Sequence, residues 1–461
     1  FRSSSLVGAF KSEVAVMFKV AFYTLGCKVN TYETEALWQL FLNAGYQRVQ
    51  QEEVADVYVI NTCAVTHAGE QKSRQIIRRL VRRAPHAVVV VTGCYAQTAP
   101  AVVADIPGVD IVVGTSGRKQ LLGLVAAVQR TRNPIIAVED LWRVKPIYEE
   151  LGILTSSCRT RALVKIQEGC NNFCTFCIIP WAKGRSRSRK PELVIEEAQR
   201  LIALGYKELV LTGIHTGGYG EDLPNYSFVK LIEELQGLSG DFRLRISSLE
   251  VTQVNAPLIA ILKQIGSKIC PHLHLPLQAG SDPVLKRMGR HYNTKKYQNI
   301  VCALRVHLPD LAITTDVITG FPGETDEQFQ EGYELMKRLK LGQLHVFPYS
   351  KRSGTRAAQF EDQISEEVKR ARAKKLLELS EQLQTSYAKQ FIGQALRVLP
   401  ESEYKNAKYQ GYLTGFSDNY LRIVFKGPQE LKGKFCNVLV KNIQGHVCLG
   451  ELVEDKAISK F

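Results

Sequence analysis

The chain has 461 residues, 45% of them hydrophobic, which is enough for two or three globular domains and excludes a disordered scaffold. Sixty basic and 45 acidic residues give a net charge of +15, which favours a polyanionic partner such as nucleic acid. No apolar run of about 18 residues indicates a membrane helix. Eleven cysteines without a secretory signal favour a reducing, cytoplasmic location over a disulfide framework.

The first residues stand apart from the rest of the sequence. We interpret Phe1 to Val16 as an upstream extension or a cloning remnant, because Met17-Phe18-Lys19 has the character of a natural start leading into a strand. The fold is therefore expected to begin at Met17.

Apolar, strand-like runs alternate with helical patterns from Met17 to about Ala137, which predicts a small parallel α/β sheet. We expect strands near 18–26, 54–62, 87–93 and 110–114, and helices near 32–44, 69–83 and 118–129. Cys27, Cys63 and Cys94 each follow one of the first three strands. Because the carboxyl ends of parallel strands share one edge, the three thiols are expected to converge. Three unrelated buried cysteines are the alternative.

The second helical pattern of this segment carries a run of arginines. Arg74, Arg78 and Arg82 recur at intervals of four residues and therefore share one stripe. A solvated basic face and a phosphate-contact surface are both compatible with this stripe.

A connection without clear periodicity, from Asn133 to Thr160, precedes a second βα alternation. We expect strands near 162–169, 207–214, 242–248, 272–278, 312–319 and 343–348. Six βα units predict a partial barrel rather than a full eight-unit barrel, with its active site at the carboxyl ends of the strands.

Three cysteines, Cys170, Cys174 and Cys177, follow the first strand of this barrel at a C-x3-C-x2-C spacing. Thiolates so close together suit a 4Fe-4S cluster, of which one iron would stay open to bind another group. A structural zinc site would need a fourth ligand, which is not found nearby in the sequence. Buried free cysteines would have no reason to cluster.

The spacing of this cysteine loop resembles the signature of the radical S-adenosylmethionine (radical SAM) enzymes. The resemblance implies that the open iron chelates S-adenosylmethionine, whose reductive cleavage yields a 5′-deoxyadenosyl radical. It also gives Cys170, Cys174 and Cys177 both a metal-binding and a catalytic role.

The blocks around Cys27, Cys63 and Cys94 resemble the N-terminal domain of the methylthiotransferases within that superfamily. The resemblance implies that these three cysteines hold a second, auxiliary 4Fe-4S cluster. The cofactors it implies are thus two 4Fe-4S clusters and S-adenosylmethionine.

Strand-end blocks at 212–220, 247–250, 276–281 and 319–325 also resemble this family, in which the same rim contacts S-adenosylmethionine and the substrate. On this basis we assign cofactor contacts to Gly213, Ser248, Glu250 and Gln278. We add Arg189, from the basic segment 183–190 beside the cysteine loop, because guanidinium groups bind carboxylates and phosphates bidentately. A solvated loop is the alternative for that segment.

A long charged helix is expected from Ser365 to about Ile392, and it is followed by about five short β runs. These runs predict a small barrel of the oligonucleotide-binding kind, and their position resembles that of the TRAM domain, an RNA-binding module. Five aromatic residues here suit base stacking, namely Tyr404, Tyr409, Tyr412, Phe416 and Tyr420. The expected domains are 17–137, 155–385 and 386–455.

The substrate branch is suggested by the motif Gly26-Cys27-Lys28-Val29-Asn30. It resembles the branch that converts N6-threonylcarbamoyladenosine at position 37 of tRNA, next to the anticodon, into its 2-methylthio derivative. The isopentenyladenosine and ribosomal-protein branches are the alternatives. The resemblance further implies a tRNA partner, an electron donor such as flavodoxin or ferredoxin, a sulfur source and no membrane. A non-catalytic RNA-binding iron-sulfur protein is the hypothesis from another functional class.

Overall fold

A computed structural model describes residues 17–131, 133–152, 160–264 and 266–453. The segment Phe1 to Val16, the polar stretch 155–157 and Cys158 lie outside the described residues. Among the helices of the described ranges, none combines the length and the apolar composition needed to span a bilayer.

The first unit is a six-stranded sheet in which every neighbouring pair is parallel, in the order β2-β1-β3-β4-β5-β6. Its strands are β1 (Lys19–Thr24), β2 (Gln47–Arg48), β3 (Val57–Thr62), β4 (Val88–Gly93), β5 (Ile111–Val113) and β6 (Ile135–Ala137). Its helices are α1 (Lys28–Asn43), α2 (His67–Arg83), α3 (Cys94–Thr98), α4 (Pro100–Ala104) and α5 (Leu121–Thr131).

Alternate side chains of β1, β3 and β4 point to opposite faces of this sheet, and both faces are covered by helices. Val20 and Phe22 pack on the side of α1 and α5, whereas Ala21 and Tyr23 pack on the side of α2, α3 and α4. The predicted parallel α/β unit is confirmed. The short strands β2 and β6 and the short helices α3 and α4 were not expected.

The second unit contains six parallel strands in two groups, β7-β10-β11 and β12-β13-β14. Single bridges from Leu244 to Ile269 and from Ser248 to His274 connect the groups, so the strands form one partial barrel. The strands, with a short antiparallel ribbon of β8 and β9, are β7 (Arg161–Lys165), β8 (Gln167–Glu168), β9 (Arg187–Ser188), β10 (Glu208–Thr212), β11 (Arg243–Ile246), β12 (His272–His274), β13 (Ala312–Thr319) and β14 (Gln343–Pro348).

Helices surround this barrel and bury its outer face in the largest apolar core of the described chain. They are α6 (Ile179–Lys183), α7 (Pro191–Ala203), α8 (Phe228–Gln236), α9 (Ala256–Leu262), α10 (Asp282–Arg287), α11 (Thr294–His307), α12 (Asp326–Leu339) and α13 (Glu366–Lys389). The predicted partial (β/α)6 barrel and the long helix α13 are confirmed.

The third unit is a closed barrel of five strands in the order β15-β16-β17-β19-β18. The strands are β15 (Ala395–Glu403), β16 (Tyr412–Ser417), β17 (Arg422–Lys426), β18 (Cys436–Gln444) and β19 (Val447–Val453). The predicted small β-barrel is confirmed.

Two arginines of β11, Arg243 and Arg245, hold the closed barrel against the central barrel. Arg243 contacts the Asp418 carboxylate at 2.7 Å and donates to the Phe416 carbonyl at 3.0 Å. Arg245 donates to the Asp418 carbonyl at 3.1 Å, and its guanidinium lies 4.7 Å from the Tyr420 ring centre. Phe416 and Tyr420 lie near the contact between the two barrels, with the Arg161 guanidinium 5.2 Å from the Phe416 ring centre. Base stacking by these two residues stays a prediction.

Candidate iron-sulfur and cofactor site

The loop with Cys170, Cys174 and Cys177 lies between β8 and α6, at the carboxyl side of the partial barrel. Its amide groups are fixed at both ends: the Cys170 amide donates to the Gly184 carbonyl at 3.1 Å, and the Thr175 amide to the Met288 carbonyl at 2.9 Å. The loop thus has a defined path between two neighbouring segments.

A glycine is required where this loop begins. Gly169 has a φ of +76°, and a Cβ at this position would lie 2.0 Å from the Arg185 carbonyl oxygen. Because no side chain can fit there without moving the backbone, the sequence can bring the cysteine loop close to the β9 segment only with glycine at this position.

The second set of thiols follows three adjacent strands of the N-terminal sheet. Cys27 comes just before α1, Cys63 just after β3, and Cys94 is the first residue of α3. Asn30 joins two of these strand ends, since its side-chain amide donates to the Leu25 carbonyl at 2.7 Å and to the Thr62 carbonyl at 3.0 Å. The geometry places the three cysteines at one edge of the sheet.

Mutual electrostatic influence shows that the thiols within each set are neighbours. Burial raises the pKa of Cys94 to about 12, and the nearby Cys27 and Cys63 act in the same direction. Burial likewise raises the pKa of Cys177 to about 12, with contributions from Cys174 and Cys170. Two separate groups of three thiols are thus present.

These donor sets fit iron-sulfur clusters. Three thiols supply three of the four ligands that a 4Fe-4S cluster takes and leave one iron for another group. Within the described ranges, no three His, Cys, Asp or Glu side chains form a group that could hold a single metal ion. This finding covers the cysteines of both triads as well, so their ligation of iron-sulfur clusters stays a prediction.

Arg290 lies directly against the cysteine loop, although no local sequence motif singles it out. One of its terminal nitrogens lies 3.1 Å from the Cys174 sulfur, and the other pairs with the Glu250 carboxylate. Burial lowers the pKa of Arg290, but Tyr292 and Glu250 outweigh this and raise it. A permanent positive charge thus lies beside the thiol of Cys174.

The predicted cofactor contacts Gly213, Ser248, Glu250 and Gln278 all follow barrel strands on the side of the cysteine loop. Gly213 packs tightly, since a Cβ there would lie 3.0 Å from the Gln167 side-chain oxygen. Gln278 has a φ of +66°, which is uncommon for a residue with a side chain. The structure brings these positions to one rim; their contacts with a cofactor stay a prediction.

Arg189 occupies a different environment from the one expected. Its side chain is fully buried, it donates to both carboxylate oxygens of Glu150 at 2.7 Å, and it pairs with Glu197. Tyr32 of α1 also donates to Glu197 at 3.2 Å. These contacts give Arg189 a structural role between units, and its predicted cofactor contact stays a prediction.

The basic segment 183–190 is largely buried, so the solvated loop considered as its alternative is wrong. Lys183 contacts Glu33 at 2.8 Å and Glu168 at 3.0 Å, and Arg187 contacts Glu168 at 3.0 Å. Only Arg185 and Lys190 in this segment are exposed. Most of its charge is therefore neutralised inside the protein.

Glu33 and Glu168 are the centre of a buried ionic network that joins the first two units. Burial raises the pKa of both carboxyl groups, but the surrounding cations outweigh this and lower it, so both are ionised. Glu33 lies six positions after Cys27, and Glu168 lies two positions before Cys170. Members of the network are Glu33, Glu168, Arg118, Lys165, Lys183 and Arg187.

Comparisons with known proteins agree with this arrangement. Residues 164–336 match the family model described as the radical SAM superfamily, and residues 19–114 match the model described as the uncharacterized protein family UPF0004. A solved radical S-adenosylmethionine methyltransferase, TsrM from Kitasatospora setae, superposes with a TM-score of 0.54 at 14% identity, covering 72% of this chain and 75% of that chain. Together with the cysteine loop, the fold defines a radical SAM enzyme.

Curated relatives narrow this class. The threonylcarbamoyladenosine tRNA methylthiotransferase MtaB of Bacillus subtilis is 53% identical over 92% of this chain and 94% of its own length. The protein of the same name from Aquifex aeolicus is 38% identical over 92% of this chain and its full length. A tRNA-2-methylthio-N(6)-dimethylallyladenosine synthase from Thermoanaerobacter sp. is 36% identical over 94% of this chain and 92% of its own length. The chain belongs to the radical SAM methylthiotransferase family, on the branch that contains MtaB.

Proposed function

We propose that this protein converts N6-threonylcarbamoyladenosine at position 37 of tRNA into its 2-methylthio derivative. The observation that carries the proposal is the pair of thiol triads on two units joined by one buried ionic network, in a chain 53% identical to a curated MtaB. Relatives named MtaB are 53%, 38% and 36% identical and the dimethylallyladenosine relative is 36% identical, so the choice of branch rests on the 53% identity to the Bacillus subtilis protein.

Each triad has a separate role in this proposal. Cys170, Cys174 and Cys177 hold the cluster that binds S-adenosylmethionine, and the thiols after β1, β3 and β4 hold the auxiliary cluster. When bound, these groups supply the radical that removes a hydrogen atom from the substrate carbon and the sulfur that replaces it. Glu33 lies close in sequence to Cys27 and Glu168 close to Cys170, and both contact Lys183. The buried network thereby fixes the position of one triad relative to the other.

Arg290 has a positioning role toward the first cluster. Its guanidinium is held by Glu250 and lies 3.1 Å from the Cys174 sulfur, so it offsets negative charge at this ligand. Gly213, Ser248, Glu250 and Gln278 form the rim at which S-adenosylmethionine binds. Arg189 is joined to the segment after Gly213, since the Tyr219 hydroxyl donates to the Arg189 carbonyl at 2.9 Å.

Partners and location follow from the same chemistry. The substrate is a tRNA, the cluster needs a low-potential electron donor such as flavodoxin or ferredoxin, and the transferred sulfur needs a source. A reducing cytoplasm suits the free thiols of both triads. We assign RNA binding to a TRAM-like module at 386–455, after a methylthiotransferase unit at 17–137 and a radical SAM unit at 155–385.

Nucleoside mass spectrometry tests the proposal directly. In tRNA from cells without this gene, 2-methylthio-N6-threonylcarbamoyladenosine should disappear and its unthiolated precursor should accumulate. Loss of the methylthio group from the isopentenyl nucleoside instead would contradict the choice of branch. An unchanged set of tRNA nucleosides would point to a ribosomal protein substrate.

A variant separates catalysis from mere RNA binding. Cys170→Ala should abolish formation of 5′-deoxyadenosine from S-adenosylmethionine while tRNA affinity stays unchanged. Cys302→Ala is the matched control, because Cys302 is an exposed cysteine of α11 outside both triads. If wild-type protein with intact clusters forms no 5′-deoxyadenosine, the non-catalytic RNA-binding hypothesis gains support.

A further inference from the structure

Three aromatic side chains cluster on the surface beside the cysteine loop; Trp142, Phe173 and Trp181 are here called the aromatic platform. Ring centres are 5.5 Å apart for Trp142 and Phe173, 5.5 Å for Trp142 and Trp181, and 6.2 Å for Phe173 and Trp181. Phe173 is 44% exposed and Trp181 48% exposed. Large apolar groups exposed together in this way mark an interaction site.

The backbone supports a specific role for this platform. Phe173 lies between Cys170 and Cys174 and has a φ of +48°, a conformation that bulky side chains rarely adopt. Trp181 belongs to α6, which starts two positions after Cys177. Strain at an exposed aromatic residue within the cysteine loop is typical of a functional position.

A groove of about 710 Å³ begins at the platform and runs between the first two units. Trp142 and Trp181 line it, together with Tyr95, the neighbour of Cys94, and Ile178, the neighbour of Cys177. The groove thus reaches from the platform to residues adjacent to both thiol triads. A loop bound along the groove would therefore pass residues that adjoin a cysteine of each triad in sequence.

Arginines lie beside the platform and along α2, whereas Glu70, Glu139 and Asp140 also line the groove and Glu70 pairs with Arg352. The Arg185 guanidinium lies 5.2 Å from the Trp142 ring centre. Arg74 of α2 lines the groove, and Arg78 and Arg82, on the same stripe of α2, are exposed. Aromatic rings next to a track of cations are the combination that binds single-stranded nucleic acid, in which bases stack and phosphates pair with arginines.

We propose that the aromatic platform stacks an unpaired nucleobase of the tRNA anticodon loop that flanks the modified adenosine, while the arginine stripe of α2 follows the phosphates. This inference rests on the proposed function. It assigns substrate recognition to the platform and the stripe, in addition to the closed barrel. On the closed barrel, Tyr404, Tyr409 and Tyr412 form a separate aromatic cluster. The Tyr409 ring centre lies 5.9 Å from that of Tyr404 and 5.3 Å from that of Tyr412.

Binding measurements on the enzyme with both clusters test the platform. The probe is a fluorescently labelled RNA stem-loop that carries N6-threonylcarbamoyladenosine, titrated at one fixed salt concentration. Trp181→Ala should weaken binding about tenfold, because one base stacked on an aromatic side chain contributes that much or more. Trp181→Phe should keep most of the affinity. Phe18→Ala is the matched control, since Phe18 is 45% exposed but lies before β1, far from the strand ends that carry the thiols.

A second perturbation on the RNA side identifies the stacked base. Stem-loops that each lack one loop base are titrated against wild type and Trp181→Ala. At one position flanking the adenosine, loss of the base should weaken wild-type binding about tenfold but should not weaken binding by Trp181→Ala any further. Fully additive losses at every position, or wild-type affinity of Trp181→Ala, would overturn the stacking proposal. Iron content and circular dichroism confirm that the variant is folded and loaded.

Three further outcomes separate this inference from its alternatives. If Trp181→Ala binds RNA normally but is slow only with a protein reductant and not with dithionite, the platform receives the electron donor and the inference falls. If wild type binds the stem-loop through Trp181 but does not methylthiolate it, the stacking inference stands and the proposed function falls. If wild type does not bind the stem-loop, both fall.

Discussion

The buried ionic network predicts how much stability the protein loses when Glu33, on α1, is replaced by glutamine. Glu33 is fully buried and contacts Arg118 at 2.9 Å, Lys165 at 2.7 Å and Lys183 at 2.8 Å. Glu33→Gln keeps the shape but removes the charge, and leaves three buried cations with one carboxylate fewer. Breaking a buried ion pair on one side costs about 3–5 kcal/mol, so we expect a loss of unfolding free energy in that range.

Glu35, two positions further along the same helix, supplies the control. It pairs with Arg48 at 2.8 Å, but the two side chains are 22% and 33% exposed, respectively. Exposed ion pairs contribute about 0.2–1 kcal/mol, so Glu35→Gln should be nearly neutral. Urea unfolding of wild type and both variants, followed by circular dichroism, measures the difference.

Acid should remove this difference in a defined direction. Burial raises the pKa of Glu33, but Arg118, Lys165 and Lys183 together lower it below the ordinary value of 4.5. A carboxyl group with a lowered folded pKa stabilises the fold above its unfolded pKa and loses that contribution as pH falls through the folded pKa. The difference in free energy of unfolding between wild type and Glu33→Gln should be largest at neutral pH and should shrink below about pH 4.5. Equal free energies of unfolding for wild type and Glu33→Gln at neutral pH would refute the reasoning.

Three further predictions concern Glu208, the cysteine triads and Arg290. Burial raises the pKa of Glu208, but its arginine partners lower it to about 2. The stabilising contribution of Glu208 should therefore persist above pH 4.5 and fade as pH drops toward 2. At neutral pH, Glu208→Gln should make it easier for a protease to release the closed barrel. Cys170→Ala and Cys27→Ala should each reduce bound iron from about eight to about four atoms per chain, whereas Cys302→Ala should keep all of it. Arg290→Met should lower the reduction potential of the first cluster in a titration followed by electron paramagnetic resonance, and Arg290→Lys should restore most of it; an unchanged potential in Arg290→Met would contradict the charge effect.

The thiol positions could be predicted from the sequence because each depends on a local pattern. Cys27, Cys63 and Cys94 follow strongly apolar runs, and parallel strands always bring such ends to one edge. The six barrel strands are apolar enough to be recognised in the same way. In contrast, β2 and β8 have only two residues each, which is too short for any alternation to appear.

Charged residues of the site could not be placed in this way. Lys183 looks like a solvated loop residue because Glu33, one of the two carboxylates that contact it, lies 150 positions earlier in the chain. Arg290 reaches Cys174 across 116 positions. Only the folded chain decides whether a cation meets water or a partner, and local spacing carries no record of a partner so distant.

The network around Glu33 also limits how this protein can exchange parts with its relatives. An N-terminal unit taken from another protein would have to supply a carboxylate at the position of Glu33. Otherwise Lys165 and Lys183 would be buried with Glu168 as their one acidic partner among the described residues. Recombination at the segment between the units therefore succeeds only when both sides carry the matching charges. The first two units would therefore have to be exchanged as a pair. The closed barrel makes a separate demand, since Asp418 pairs with Arg243, which Glu208 holds together with Arg245.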